Sequence, residues 1–360
     1  MRGRDASRKE TFRGSYRVDI VTVSRERVAG DCGVSARGWQ ASLKSAIRDG
    51  RELLERLELA AHWDPAALAA AAQFPTFVPL EFLARMQPGD PDDPLLRQVL
   101  PVAEELDVPP GFSHDPLQEA AATVTAGLLQ KYDGRALLVT GGACAVHCRY
   151  CFRRHFPYEE LPGSSAAWEG ALRQIAADRS LSEVILSGGD PLMLTDVPLA
   201  RLVERIASIE HVRRLRVHTR LPIVIPGRVT DALVDMLVGA GPLPVMVVHV
   251  NHAAEIDREV EAALTRLADA GVLLLNQAVL LRGVNDDVDA LAELSLRLLD
   301  LRVVPYYLHQ LDRTAGTAHF EVSPQQGVAL VGQLRARLPG YAVPRYVEEV
   351  PGAAGKMMLA

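Results

Sequence analysis

The strongest constraint on the fold is an alternation that begins near Ala136. Short runs rich in Leu and β-branched residues, at 136–140, 183–187, 215–219, 245–250, 272–277 and 303–308, are separated by amphipathic stretches near 166–178, 199–209, 231–238, 255–270 and 288–299, with a last one at 324–338. Strand and helix patterns that repeat at about 30-residue spacing indicate βαβ units and a parallel sheet. Six such units are too few to close an eight-stranded barrel, so the expected fold is α/β, an open partial (β/α)6 TIM-like barrel. Right-handed crossovers put the loops that follow the strands on one rim. On that rim fall Cys144, Cys148 and Cys151 after the first strand, Gly188-Gly189-Asp190 after the second, and His249 and Gln277 at the ends of the fourth and fifth.

Upstream the texture differs. Residues 1–37 carry little periodicity and read as an irregular or disordered tail. From 38 to 59 apolar residues recur at helical spacing (Trp39, Leu43, Ile47, Leu53, Leu54, Leu57), and further helical patches follow at 66–72 and 79–86, ended by the turn-rich Pro88-Gly89-Asp90-Pro91. The expected organisation is a tail (1–37), a helical N-terminal region (38–113), the partial barrel (114–340) and a C-terminal segment (341–360). With 360 residues, 48% of them hydrophobic, the chain can bury a large core. A net charge of −6 without a basic stripe argues against nucleic acid. No apolar run reaches the roughly 18 residues of a membrane span, and the N-terminus lacks the apolar core of a secretory signal.

Four cysteines in a chain of this length do not make a disulfide framework. Cys32 reads as a free thiol in the tail. The other three form C-x3-C-x2-C, Cys144-Ala-Val-His-Cys148-Arg-Tyr-Cys151. Three thiolates can ligate three irons of a [4Fe–4S] cubane and leave the fourth iron open. An open iron can chelate the amino and carboxylate groups of S-adenosylmethionine and pass an electron into its sulfonium. The competing reading, a structural zinc site, is closed and four-coordinate, and would have to recruit His147, His155 or a distant ligand. Thiolates and a low-potential cluster both call for a reducing, cytoplasmic setting.

This spacing, with Tyr150 before the last cysteine and Gly188-Gly189-Asp190 at the end of strand two, resembles the radical S-adenosylmethionine superfamily. Longer stretches are similar to one family within it, the lysine 2,3-aminomutases, and are closer to the branch that makes β-lysine for modification of elongation factor P. They include PDDPLLRQVL (91–100), LLQKYDGRA (128–136), CRYCFRRHFPY (148–158), RLPIVIP (220–226), VND (284–286), PYYLH (305–309) and the closing EEVPGAAGK (348–356). The resemblance runs from about Met86 to Lys356 and does not reach the residues before Trp39.

That resemblance implies the site residues. Lys356 would bind pyridoxal phosphate as a Schiff base. Lys131 and Arg135 stand where the family has the cations of the cofactor's phosphate, a Lys replacing one Arg and losing its bidentate fork. Gly188, Gly189, Asp190, His249 and Gln277 would serve S-adenosylmethionine. Arg153 would pair with the substrate carboxylate. Asp312 would face the distal ammonium, and Glu349 occupies the place of a second acid, one methylene longer here. The polarity suits free L-lysine on elementary grounds, since a cation must meet its carboxylate and an anion its ε-ammonium. Each residue also has a plainer reading: Lys356 as a solvated tail charge, Arg153 as a surface charge, Asp312 as a loop residue, Glu349 as half of an exposed acidic pair.

The implied activity is an isomerase that moves the amino group of (S)-lysine from C2 to C3, giving β-lysine in the R form. An electron donor of flavodoxin or ferredoxin type would reduce the cluster, and elongation factor P would be reached only indirectly, through a separate ligase. Arginine or glutamate as substrate, a radical enzyme without pyridoxal phosphate, and a non-catalytic metal-binding protein are the alternatives. The chain ends Met357-Met358-Leu359-Ala360, before the cysteine-rich, zinc-binding extension of the longer clostridial-type aminomutases. No zinc is therefore expected, and the oligomeric state does not carry over.

Overall fold

The computed structural model describes residues 38–158 and 167–360. Cys32, the expected tail and the stretch just before Ala167 lie outside the described residues.

Among the described residues ten strands form one sheet in chain order. β1 (Thr123–Thr125) and β2 (Leu128–Tyr132) lead in as an antiparallel ribbon onto β3 (Arg135–Val139). From β3 the sheet is parallel through β4 (Glu183–Ser187), β5 (Arg214–Thr219), β6 (Leu243–Val248), β7 (Leu273–Val279), β8 (Val304–His309) and β9 (Arg345–Glu348). A short antiparallel β10 (Met357–Met358) pairs back on β9. The six strands expected from the alternation are β3 to β8. The sixth crossover adds β9, and the ladder runs linearly from β1 to β10. The fold is the open partial (β/α)6 barrel, extended by a ribbon at each edge.

Helices occur where the patterns and caps place them. In the N-terminal region these are α1 (Gln40–Lys44), α2 (Gly50–Arg56), α3 (Ala67–Gln73), α4 (Leu80–Leu83) and α5 (Pro94–Arg97). The crossovers hold α6 (Ala167–Ala177), α7 (Asp196–Ala207), the short α8 (Leu221–Val224), α9 (Asp231–Gly239), α10 (Arg258–Asp269), α11 (Val288–Asp300) and α12 (Pro324–Arg337). Asp257 and Asp287 accept bonds from the first free N–H groups of α10 and α11. Ser323 and Gln326 form a capping box behind Pro324 on α12. Each cap sits where a strand pattern gives way to a helical one, which is why those boundaries can be read locally.

One expected helix is broken. The apolar spacing across 38–59 splits into α1 and α2 because Ile47 leaves the helical path to exchange two backbone hydrogen bonds with Val78 (2.8 and 3.0 Å). That pairing is tertiary, and local periodicity carries no trace of it. The N-terminal helices share one apolar core with the barrel, from Leu53 and Phe82 to Leu186 and Val248. They also hold the cysteine loop. The Arg149 backbone N–H donates to Gln98 O (2.8 Å) and that of His147 to Phe77 O (3.1 Å). The fully buried Arg149 guanidinium donates to Glu105 (2.7 Å), which also receives Arg154 (2.7 Å).

Candidate active site

The residues expected to serve the cluster, S-adenosylmethionine, pyridoxal phosphate and lysine all line one cavity of about 400 Å³ at the C-terminal rim of the strands. Cys144, Cys148 and Cys151 lie on the loop after β3. Gly188, Gly189 and Asp190 follow β4, His249 follows β6, and Gln277 lies inside β7, two residues before its end. Asp312 follows β8, and Glu349 and Lys356 flank the turn between β9 and β10. Lys131 and Arg135 come from the entry ribbon.

The glycines after β4 answer to the cysteine loop. Gly188 has φ +122, and a Cβ on Gly189 would stand 2.4 Å from Ala143 O and 2.6 Å from the Gly142 carbonyl carbon. The Gly189 N–H donates to Gly141 O (2.7 Å) and that of Asp190 to Ala143 O (2.8 Å). The β4 turn is therefore clamped onto the loop that carries the thiols. Both Asp190 oxygens are occupied: they accept from Thr219 Oγ1 (2.7 and 2.9 Å), from the Arg220 N–H (2.8 Å) and from the Leu192 and Leu221 N–H groups (3.0 and 3.1 Å).

At the cysteine end, burial raises the thiol of Cys144 well above its ordinary value, and lifts that of Cys151, with Cys148 beside it, to about 11. Arg153 is the cation that opposes this rise at both thiols. Arg220 donates from Nη1 to Cys148 Sγ (2.8 Å), while its buried Nε has no acceptor among the described residues. Among those residues no three His, Cys, Asp or Glu converge closely enough to hold a single ion. A cubane spreads its thiolates over different irons, so its ligands need not converge.

The opposite end is a chain of alternating charges. Arg153 clasps Glu119 with Nε and Nη2 (both 2.8 Å) and donates from Nη1 to Ser187 Oγ (3.1 Å). Lys131 bridges Glu119 (3.1 Å) and Glu349 (2.8 Å), and Glu349 takes a close contact from Lys356. Burial alone would raise the Glu349 carboxyl, but Lys356 and Lys131 overrule it and hold it at about 2. Asp312 has no such clasp: burial, reinforced by Glu349, pushes it up to about 7. His309, buried and facing Lys356, falls to about 3 and is neutral, and burial lowers His218 likewise. Arg135 lies over the Tyr132 ring (4.7 Å to its centroid) at the cavity edge.

Several lining residues had not been singled out from the sequence: Glu119, Arg216, His218, Arg220, Tyr307 and His309. The signal for two of them was present. Along β5, Leu215 and Val217 alternate with Arg216 and His218, so a strand buried on one face turns polar groups to the other. In a barrel strand that other face is the interior, where polar residues suggest a site rather than solvent. Glu119 had no such pattern, being one acid in the loop before β1.

The sequence profile described as the Radical SAM superfamily matches residues 138–295. The chain is 46% identical over 326 residues to the L-lysine 2,3-aminomutase of Escherichia coli (strain K12), covering 90% of this chain and 95% of that one. It is 43% identical to the L-lysine 2,3-aminomutase of Haemophilus influenzae, with 90% and 96% covered. To the enzyme of the same name from Clostridium subterminale it is 34% identical, with 88% and 76% covered.

Proposed function

The chain belongs to the L-lysine 2,3-aminomutase family of radical S-adenosylmethionine enzymes, and from that premise we propose that it converts free (S)-lysine to (R)-β-lysine, as the supply for modification of elongation factor P. The observation that carries the reading is the joint placement of three thiols, an arginine fork, two acids and a lysine ammonium around one cavity. The family's cofactors are a [4Fe–4S] cluster, S-adenosylmethionine and pyridoxal phosphate, and the residues present suit them. Cys144, Cys148 and Cys151 would hold the cluster beside Arg220, whose Nε lacks an acceptor among the described residues. Gly188, Gly189, Asp190, His249 and Gln277 share the wall of S-adenosylmethionine. Lys356 would hold pyridoxal phosphate, with Arg135 and Lys131 toward its phosphate. When bound, the cluster supplies the electron that breaks a carbon–sulfur bond of S-adenosylmethionine, while pyridoxal phosphate supplies a carbonyl for the amino group and a ring to spread an unpaired electron.

The chain's own residues do the rest. Arg153 presents a planar fork for a carboxylate, and its pairing with Glu119 fixes the plane of that fork. Asp312 meets the ε-ammonium, whose charge draws the carboxyl into its ionised form. Glu349 holds the Lys356 ammonium in place until the cofactor arrives, and adds a second negative charge to the distal pocket. His309 and His218, neutral at pH 7, line the pocket without adding positive charge against the ammonium. A glutamate side chain would meet two acids there and be repelled. The same polarity sets the direction in which lysine enters, carboxylate toward the cysteine loop. No helix among the described residues is long and apolar enough to cross a membrane. The reductant is of flavodoxin or ferredoxin type, and the enzyme works in the cytoplasm.

The test is anaerobic. Protein reconstituted with iron, sulfide and pyridoxal phosphate receives S-adenosylmethionine, dithionite and L-lysine, and β-lysine is resolved by chiral chromatography. β-Lysine lost in Cys148→Ala and in Lys356→Ala supports the reading. Formation of 5′-deoxyadenosine without β-lysine would mean another substrate. Neither product from a protein with full iron content would sink the assignment.

A further inference from the structure

Behind the cysteine loop lies a buried polar assembly that the reaction does not account for. Arg220, the first residue after β5, is 7% exposed and Glu255 0%. Arg220 Nη1 donates to Cys148 Sγ (2.8 Å), and its Nη2 donates to Glu255 Oε2 (2.8 Å) and Gln98 Oε1 (2.7 Å). The other Glu255 oxygen accepts from the N–H groups of Asn251 (2.9 Å) and His252 (3.1 Å) and from Gln98 Nε2 (3.2 Å). Gln98 Oε1 also accepts from Asn251 Nδ2 (3.0 Å) and Tyr150 Oη (3.3 Å). The Arg220 backbone is pinned by Asp190, and its guanidinium lies over the Phe82 and Tyr150 rings (5.3 and 5.7 Å to their centroids).

Structure alone does not call for this arrangement. An ion pair taken fully out of water is often no better for stability than apolar groups of the same volume. A buried guanidinium whose free edge points at a thiol, and whose charge is balanced on the far side by one carboxylate, sets a local potential at that sulfur. Cluster potentials respond to net charge and to hydrogen bonds on the sulfurs. We propose that Arg220 and Glu255 are a pair of positioning residues that tune the cluster's reduction potential, Arg220 raising it through its bond to Cys148 and Glu255 limiting that rise. Asp190, Gln98 and Asn251 hold the pair in register. Neither residue touches the reacting atoms of the substrate.

The inference rests on the cluster assignment, and the experiment separates the two. Full-length protein with a reconstituted cluster is titrated with dithionite and mediators, without S-adenosylmethionine or lysine, while the signal of the reduced cluster is followed by electron paramagnetic resonance. A wild-type protein that takes up no cluster sinks the assignment and the inference together. With a cluster present, the expected shifts have opposite signs. Arg220→Gln makes reduction harder by about tenfold or more in the equilibrium constant, each tenfold being 59 mV for a one-electron couple. Glu255→Gln makes it easier by a similar factor. Arg220→Lys, which keeps the charge and a donor, moves it less than half as far as Arg220→Gln. A merely structural role would give shifts of one sign, or none, and either result overturns the proposal. So would loss of cluster assembly in Arg220→Lys and Glu255→Gln, because the pair would then be part of the scaffold alone.

Discussion

The two ends of the cavity are built differently. At the cysteine end the charges are closed in by protein: Arg220 is 7% exposed, Glu255 0%, and every oxygen of Glu255 has its donors. At the lysine end Lys131 and Lys356 are each 20% exposed and Glu349 14%, and their partners are one another and Glu119. One end is prearranged, because an electron must enter against a low potential and reorganisation there would cost rate. On the proposed reading the other end is remade in every cycle, because Lys356 would give up the cofactor's carbonyl to the substrate amino group and take it back afterwards. A buried, densely hydrogen-bonded network suits the first task, and a chain of exchangeable ion pairs suits the second.

The largest effects test whether the ends are separable. Cys148→Ala and Lys356→Ala should each cut β-lysine formation by about a thousandfold or more, as loss of an essential group does. Their loading should differ. Cys148→Ala loses iron and keeps the visible absorbance of lysine-bound pyridoxal phosphate, and Lys356→Ala does the reverse. Iron and absorbance lost together in either variant would break the comparison.

Next in size is Glu119, the hinge of the ion-pair chain. Glu119→Gln leaves Arg153 in place but weakens the clasp that sets its plane. A hydrogen bond to a charged group contributes about 1.5–3 kcal/mol, so kcat/KM for lysine should fall about 10- to 100-fold. The loss should appear in KM more than in kcat, since a carboxylate grip serves ground state and transition state alike. A fall in kcat at unchanged KM would place Glu119 in the chemistry and not in the grip.

Glu119 also marks the limit of what local pattern reveals. Strands β3 to β8 were legible because each is an apolar run followed by a helical pattern, and β4 matches its expected bounds of 183–187. The edges were not: β1 (TVT), β9 (RYVE) and β10 (MM) are too short to show a period, and pairing alone defines them. In the site, cysteines, glycines and the terminal lysine stood out because their spacing is rare. A lone acid such as Glu119 acquires meaning only when folding brings Arg153 and Lys131 to it. Arg220 lay inside a stretch whose resemblance was noted, yet nothing in RLPIVIP shows that its side chain turns back to Cys148.

Asp312 gives the comparison a pH axis. Its carboxyl sits at about 7 in the folded protein against an ordinary 3.8, because burial and Glu349 oppose its charge. Below pH 7 it is protonated and cannot pair with the ε-ammonium, so kcat/KM for lysine should rise about tenfold per pH unit up to about 7 and then level. Asp312→Asn should flatten that limb and leave a lower plateau. The stability sign is opposite. Between 3.8 and about 7 the folded state holds a proton that the unfolded state has lost, so stability falls as pH rises through that window. Melting curves of Asp312→Asn should therefore lie above wild type at pH 8 and converge with it near pH 4. A kcat/KM limb that survives in Asp312→Asn would assign the titration elsewhere.

The smallest expected effect concerns Glu349. Glu349 reaches two cations at once, Lys131 (2.8 Å) and Lys356. Glu349→Asp keeps the charge and withdraws it by one methylene, so one of the two contacts must lengthen. The contact that Lys131 supports from Glu119 survives better, and Lys356 is the partner that loses. A lysine freed from its carboxylate is more available to pyridoxal phosphate, so the cofactor's affinity should rise about two- to fivefold, within the 0.2–1 kcal/mol typical of partly exposed pairs. Fluorescence titration of the protein with pyridoxal phosphate reads this directly. Lysine KM should rise by a similar factor, because the withdrawn carboxylate leaves Asp312 as the nearer anion of the ε-ammonium. If Glu349→Asp instead weakens the cofactor, the Glu349–Lys356 contact presents the lysine and does not restrain it, and the lysine end would be as prearranged as the cysteine end.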